Sequence, residues 1–171
     1  GSGGTAVISR FLGERNEDQA SRAIAMSFLL TILMSTLIVV VLFPFLDFLI
    51  DILGASGDEF SGHSKDYLTY LILGSIALMS LEVTSGILMA HGQSGRSNIL
   101  FVLASIINII LDAIFIFIFG WGVAGAAIAT VLSNLIVLGL GFHFLKDSTR
   151  ISQVRLEYFL QIRGSLLLQI F

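Results

Sequence analysis

The sequence predicts an all-α, polytopic membrane helical bundle, and three observations carry that prediction. Of 171 residues, 56% are hydrophobic and only 12% charged, about half the charged share of a water-soluble domain. Four stretches of 22 to 24 residues are almost free of charge, and about 20 apolar residues suffice for a helix to cross the hydrocarbon core. The chain carries 17 Gly against one Pro; Gly lets helix backbones approach closely where lipid supplies no hydrophobic push between them.

The opening Gly1-Ser2-Gly3-Gly4 runs without a break into Thr5-Ala6-Val7-Ile8, and is expected to be the tail of a truncated helix. The first span covers 23–46, has no charge and holds the lone Pro44 near its end. The second, 67–90, carries one charge, Glu82, and the third, 98–119, carries one, Asp112. The fourth, 122–145, carries none. Between the third and fourth lies Gly120-Trp121-Gly122, two turn-forming glycines around an aromatic suited to a membrane interface, so these spans are expected to pair as a tight antiparallel hairpin. Residues 1–145 thus form one transmembrane unit. A basic cytoplasmic linker is expected over 146–161 and the start of a further truncated helix over 162–171. No internal repeat or low-complexity segment is evident.

Loop charges orient the bundle. Arg10, Arg15 and Arg22 precede the first span, Arg96 lies between the second and third, and Lys146, Arg150, Arg155 and Arg163 follow the fourth. Only Lys65 falls on the other side, among Asp47, Asp51, Asp58, Glu59 and Asp66. Eight of nine cations on one side place that side in the cytoplasm, because basic loops are retained there. The expected location is the cell (plasma or inner) membrane, as a multi-pass protein in contact with the lipid bilayer.

Composition also excludes functions. The chain has no Cys, which removes disulfides, thiolate chemistry and Cys-ligated zinc; His63, His91 and His143 lie on separate segments without metal-ligand spacing. A net charge of −3 points to no nucleic-acid partner. No nucleophile–base arrangement, phosphate-cradling Gly loop with Lys, or zinc-protease motif is present, so no enzyme and no cofactor is expected.

An ionised Asp at a helix centre in the membrane costs roughly 2.5–3.5 kcal/mol even on lenient scales, so Asp112 calls for a use. Asn108 lies four residues earlier, on the same helical face. Counting from Trp121, Asp112 is nine residues before the turn and Thr130 nine after, while Asn108 and Asn134 match at thirteen. Where the helical phases agree, Asp112, Asn108 and Thr130 converge on an oxygen-rich pocket of the kind Na⁺ or H⁺ occupies; otherwise they hydrogen-bond across helices as glue. Asn134 is a further candidate for the cavity. Glu82 lies nearer the cytoplasm than Asp112, so the two are not expected to form a dyad; Glu82 either lines a cavity for a cationic substrate or makes a static contact with Thr84 and Ser85 nearby. The small residues Gly122, Gly125, Ala126 and Ala129 read as tight packing against the third span. Phe115, Phe117 and Phe119 read as lipid-facing.

The run Asn108-Ile-Ile-Leu-Asp112-Ala-Ile-Phe-Ile-Phe, followed by Gly122-Val-Ala-Gly-Ala-Ala-Ile-Ala-Thr130, resembles the fifth and sixth helices of the multidrug and toxic compound extrusion (MATE) family in both spacing and content. Upstream, Ile8-Ser9-Arg10-Phe11-Leu12-Gly13 with Ala20 resembles the family's loop after its second helix, and the stretch from Ile87 to Gly92 the end of its fourth. Gln161-Ile-Arg-Gly164 resembles the approach to the seventh, so the resemblance covers essentially the whole chain. It implies part of one six-helix lobe of a twelve-helix antiporter, with the first helix and the carboxy-terminal lobe of the same polypeptide as missing partners. It also implies a cation site of Asn108, Asp112, the Ala126 carbonyl and Thr130, with Na⁺ held at Asp112, Asn108 and Thr130 or a proton at the same carboxylate. The helix-one Asp of that site has no counterpart here. Two departures stand out: Ala113 where many members place a Pro after the Asp, and Met89 where a basic residue is common.

The function so implied is secondary active antiport, exporting small organic, cationic drugs or toxic compounds in exchange for Na⁺ or H⁺. Two alternatives stay open: a lipid-linked oligosaccharide or peptidoglycan-precursor flippase of the same superfamily, and a non-transporting membrane subunit whose polar residues are helix glue.

Overall fold

The computed structural model describes residues 2–52 and 61–148, and every regular element among them is helical. The first, α1 (Ser2–Gly13), turns into α2 (Glu17–Leu42). Asn16 caps α2, its Oδ1 accepting the Gln19 N–H at 3.2 Å, and Glu17 and Asp18 in the first turn suit the positive end of the helix dipole. Pro44 has no N–H to return to the preceding turn, and the chain tightens there into a 3₁₀ turn, Phe43–Phe45, before resuming as α3 (Leu46–Ile52). The membrane path begun at 23–46 therefore runs on beyond residue 46.

The second path is α4 (Ser61–Ala90) and the third α5 (Ser94–Asp112). Beyond Asp112, α5 widens into a π-helical segment, Ala113–Ile118. The fourth path is α6 (Gly122–Ser148). Lys146 and Asp147 continue this helix instead of opening a linker. Lys146 suits the negative end of the dipole, and Asp147 accepts from Arg96 Nη2 at 2.9 Å. The rest of the expected linker, with Arg150 and Arg155, and the whole 162–171 segment, with Arg163, lie outside the described residues.

Four of these paths are long and apolar enough to cross a membrane: Glu17–Ile52, Lys65–Ala90, Ser94–Ile118 and Gly122–Asp147. The hub is α4, 61% of whose membrane window is buried against 11% for α5; it packs on α1, α2, α5 and α6. Its register with α6 follows from two close approaches. A Cβ on Gly74 would stand 2.2 Å from Val131 Cγ2, and Thr84 Cγ2 stands 2.8 Å from where a Cβ of Gly141 would be. The partners advance by ten residues on both helices, so α4 and α6 run parallel. This is the geometry that alternating spans α2, α4, α5, α6 require.

Around this hub Ile8, Leu81, Ile87, Leu88, Leu100, Val137 and Leu145 are fully buried. Hydroxyls share the interior. Ser27 and Thr31 bond the carbonyls one turn back, at 2.9 and 2.8 Å, as does Thr84 at 2.8 Å, and the hydroxyls of Ser85 and Ser97 pair across α4 and α5. Such bonding satisfies these polar atoms within an apolar bundle, whereas the buried Ser75 Oγ finds no partner among the described residues. The outer coat is large and apolar, including Val40, Ile109, Phe117 and Ile118, which suits a lipid or helix neighbour better than water.

The turns from α1 to α2 and from α4 to α5 are built alike, which the amino-acid pattern does not announce. Asn16 N–H donates to Phe11 O and Gln93 N–H to Leu88 O, each at 2.9 Å; Arg15 N–H donates to Leu12 O at 3.1 Å and Gly92 N–H to Met89 O at 2.9 Å. Both close their helix with a left-handed residue, Arg15 at φ 55° in one and Gly92 at φ 74° in the other.

Candidate cation site

The α5–α6 hairpin turns on Gly120 and Gly122, whose φ values of 68° and 54° suit residues without a Cβ. Just before it, the π segment moves the backbone donors on by one residue. Phe119 N–H bonds Ile114 O at 3.0 Å, and at its start Ala113 N–H is shared between Ile109 O and Ile110 O. From Ala113 on, the helix widens without a Pro. Isolated π turns of this kind are frequent at functional sites.

Below the π segment, Asn108 and Asp112 share a face of α5, and Asn108 meets α6 at Thr130. Asn108 Nδ2 donates to Thr130 Oγ1 at 3.4 Å. Thr130 Oγ1 donates its proton to Ala126 O at 3.0 Å. That proton is thereby committed, and the hydroxyl oxygen presents lone pairs toward α5. With its NH₂ turned to Thr130, Asn108 keeps its carbonyl oxygen on the opposite side of the amide. Asp112 Oδ1 is buried, and no hydrogen-bond donor reaches it among the described residues. The result is a buried carboxylate oxygen without a donor, one turn from a hydrogen-bonded Asn–Thr pair that carries further oxygen lone pairs. Hard cations seek such oxygens, and a proton relieves the carboxylate equally well.

Asn108, Thr130 and Ala126 are thus joined by hydrogen bonds, with Asp112 one turn outward of Asn108. Asn134 bonds Thr130 O through Nδ2 at 2.6 Å. Depth counting from Trp121 pairs Asp112 with Thr130, and Asn108 with Asn134; in the structure the cross-helix bond runs from Asn108 to Thr130. The π segment winds more residues into each turn, which shortens α5 per residue and contributes to this offset. The Ala126 carbonyl is occupied by the Thr130 hydroxyl, and Ala127 and Ala129 are fully buried. A Cβ on Gly125 would stand 3.1 Å from Phe115 Cβ, whereas one on Gly122 would meet open space, so of the expected small-residue ladder only the inner part packs on the hairpin.

Glu82 is exposed on α4, while its neighbours Thr84 and Ser85 are buried in helix contacts of their own. Of the aromatics expected to face lipid, Phe117 is 83% exposed, but Phe115 turns inward. Its ring lies 5.1 Å from Trp121 and 5.9 Å from Phe119. Sequence reasoning missed Ser133, whose hydroxyl bonds Thr130 O at 2.9 Å; its place three residues after Thr130 was the available signal. No cluster of three or more His, Cys, Asp or Glu able to hold a metal occurs among the described residues.

Comparison with known proteins agrees with the hairpin. The MatE family model matches residues 1–114. The chain is 32% identical over 142 residues to the probable multidrug resistance protein NorM of Thermotoga maritima, covering 81% of this chain and 30% of that protein. It is 34% identical over 142 residues to the multidrug export protein MepA of Staphylococcus haemolyticus, covering 83% and 31%. It therefore spans about a third of the length of these relatives. Among solved structures, an inward-facing multidrug resistance MATE family transporter of the MOP superfamily superposes with a TM-score of 0.91 at 30% identity, over 99% of this chain and 38% of that one. An outward-facing one gives 0.88 at 30% identity, over 99% and 37%. Sequence, hairpin and superposition agree: this chain belongs to the MATE family of multidrug efflux transporters.

Proposed function

We propose that the chain supplies helices of the amino-terminal lobe of a secondary antiporter that exports organic cations in exchange for Na⁺ or H⁺. The observation that carries this reading is the buried, donor-less Asp112 Oδ1 on the helical face that also presents Asn108 to Thr130. In this account Asp112 is the coupling carboxylate, Asn108 and Thr130 supply neutral oxygens, and Ala126 holds the Thr130 hydroxyl proton. A cation arriving from outside neutralises Asp112 and favours the state that releases substrate; its loss to the cytoplasm resets the lobe. Such coupling requires the cation to bind the two states with different affinity. The likeness of this chain to both an inward-facing and an outward-facing relative, at TM-scores of 0.91 and 0.88, supports a lobe that moves largely as one body.

The test is efflux of a cationic fluorescent dye from pump-deficient cells expressing the full-length gene product that carries this chain, beside its Asp112→Asn variant. Dye should leave with the wild type and stay with the variant at equal expression. A well-expressed wild type that moves no dye contradicts drug export and directs attention to lipid-linked substrates.

A further inference from the structure

The Thr130 carbonyl carries more hydrogen bonds than its place in a helix needs. A helical carbonyl ordinarily serves the backbone N–H four residues on; this one also accepts Asn134 Nδ2 at 2.6 Å and Ser133 Oγ at 2.9 Å. Ser133 is fully buried and Asn134 half-buried. Their neighbours Leu132, Leu135 and Ile136 are apolar, so an amide here is an exception to the surrounding pattern. Packing fixes the neighbouring Val131 against Gly74 of α4, while the turn before Thr130 itself holds only the small residues Gly125, Ala126, Ala127 and Ala129 beside Ile128.

We infer that Asn134, assisted by Ser133, is a positioning residue for the cation site. It acts through Thr130 and does not itself touch the cation, and the inference rests on the cation-site reading above. Thr130 is held from two directions. Its hydroxyl proton is tied to Ala126 O at 3.0 Å, which fixes the rotamer, and its carbonyl is tied to the two side chains that follow, which fixes the backbone. In an interior of low dielectric such bonds are stronger than in water and cooperate. A cation site tolerates misplacement of its ligands by only about 0.5 Å, and outer partners that orient ligands typically change metal affinity by about 10–100-fold when removed. Asn134 therefore sets how tightly the coupling cation is held, and leaves recognition of the exported compound to other residues.

The test is dye transport by the full-length gene product in proteoliposomes, measured against the concentration of the driving cation and, separately, of dye. The variants are Asn134→Leu, Asn134→Ala and Asn134→Ser. Leu and Ala delete the donor; Ser can return a bond to the carbonyl one turn back. The half-saturating cation concentration is expected to rise about tenfold in the Leu and Ala variants, with the dye dependence unchanged, and to return close to wild type in Asn134→Ser. If Asn134→Leu fails to fold, the Ala and Ser pair decides. An unchanged cation dependence in Leu or Ala overturns the inference, as does a Ser variant no better than Ala, or a shift in dye dependence, which marks Asn134 as a substrate contact. Asp112→Asn, run alongside, separates the two claims: if it keeps cation-driven transport the cation-site reading falls and takes this one with it, whereas if it loses coupling while Asn134→Ala does not, only the positioning role falls.

Discussion

The side-chain amide of Asn108 donates to the hydroxyl of Thr130 at 3.4 Å, across two helices and 22 residues of chain. It joins α5 to α6 at membrane depth, where interhelical bonds average about 0.6 kcal/mol and reach about 1.7. A double-mutant cycle of Asn108→Ala and Thr130→Val, read by unfolding of the purified full-length protein, should give a coupling energy of about 0.5–1 kcal/mol. Strict additivity would show that the two groups do not interact.

A second coupling is steric. With Val131 Cγ2 standing 2.2 Å from where a Cβ of Gly74 would be, Gly74→Ala forces α4 and α6 apart at their outer halves. Overpacking of this kind costs about 1–3 kcal/mol. Shortening the partner in Gly74→Ala/Val131→Ala should recover most of the loss, measured as the midpoint of thermal unfolding in detergent. An equally unstable double variant would contradict the parallel register of the two helices.

The turns from α1 to α2 and from α4 to α5 offer a matched pair. Arg15 holds a left-handed conformation at φ 55° that Gly92 holds at φ 74°, and a residue with a Cβ there costs about 1 kcal/mol or more. Arg15→Gly should stabilise the protein by about that amount and Gly92→Ala destabilise it similarly. Unfolding midpoints moving in the same direction would argue against the shared turn geometry.

Sidedness can be read with thiols, since this chain contributes no Cys of its own. Lys65 pairs with Asp47 at 2.6 Å at one end of the bundle, and Arg96 pairs with Asp147 at the other. In a cysteine-free background, Lys65→Cys should react with an impermeant maleimide in intact cells, and Arg15→Cys only after permeabilisation. The reverse pattern would invert the topology.

Much of this arrangement is legible in the sequence, for a physical reason. Lipid demands long charge-free helices and leaves few polar residues to explain, so Asn108, Asp112 and Thr130 stand out and residue counting brings them to similar depth. What counting misses is winding. Nothing in the run from Ala113 to Ile118 announces a π segment, and depth counting leaves Asn108 a turn away from the Thr130 that it bonds. The contact of the Phe115 ring with Trp121 is equally hidden in the sequence. The roles of Ser133 and Asn134 depend on side-chain rotamers, which no periodicity encodes. For Glu82 the sequence leaves cavity and contact both open, and the residue is exposed on α4.

The central claim is that Asp112 couples a cation to export. Cation-gradient-driven dye transport by the reconstituted full-length protein, comparing wild type with Asp112→Asn at matched folding, tests it most directly. The account predicts that the variant remains folded and loses its response to the gradient. Gradient-driven transport at the wild-type rate from Asp112→Asn would contradict it.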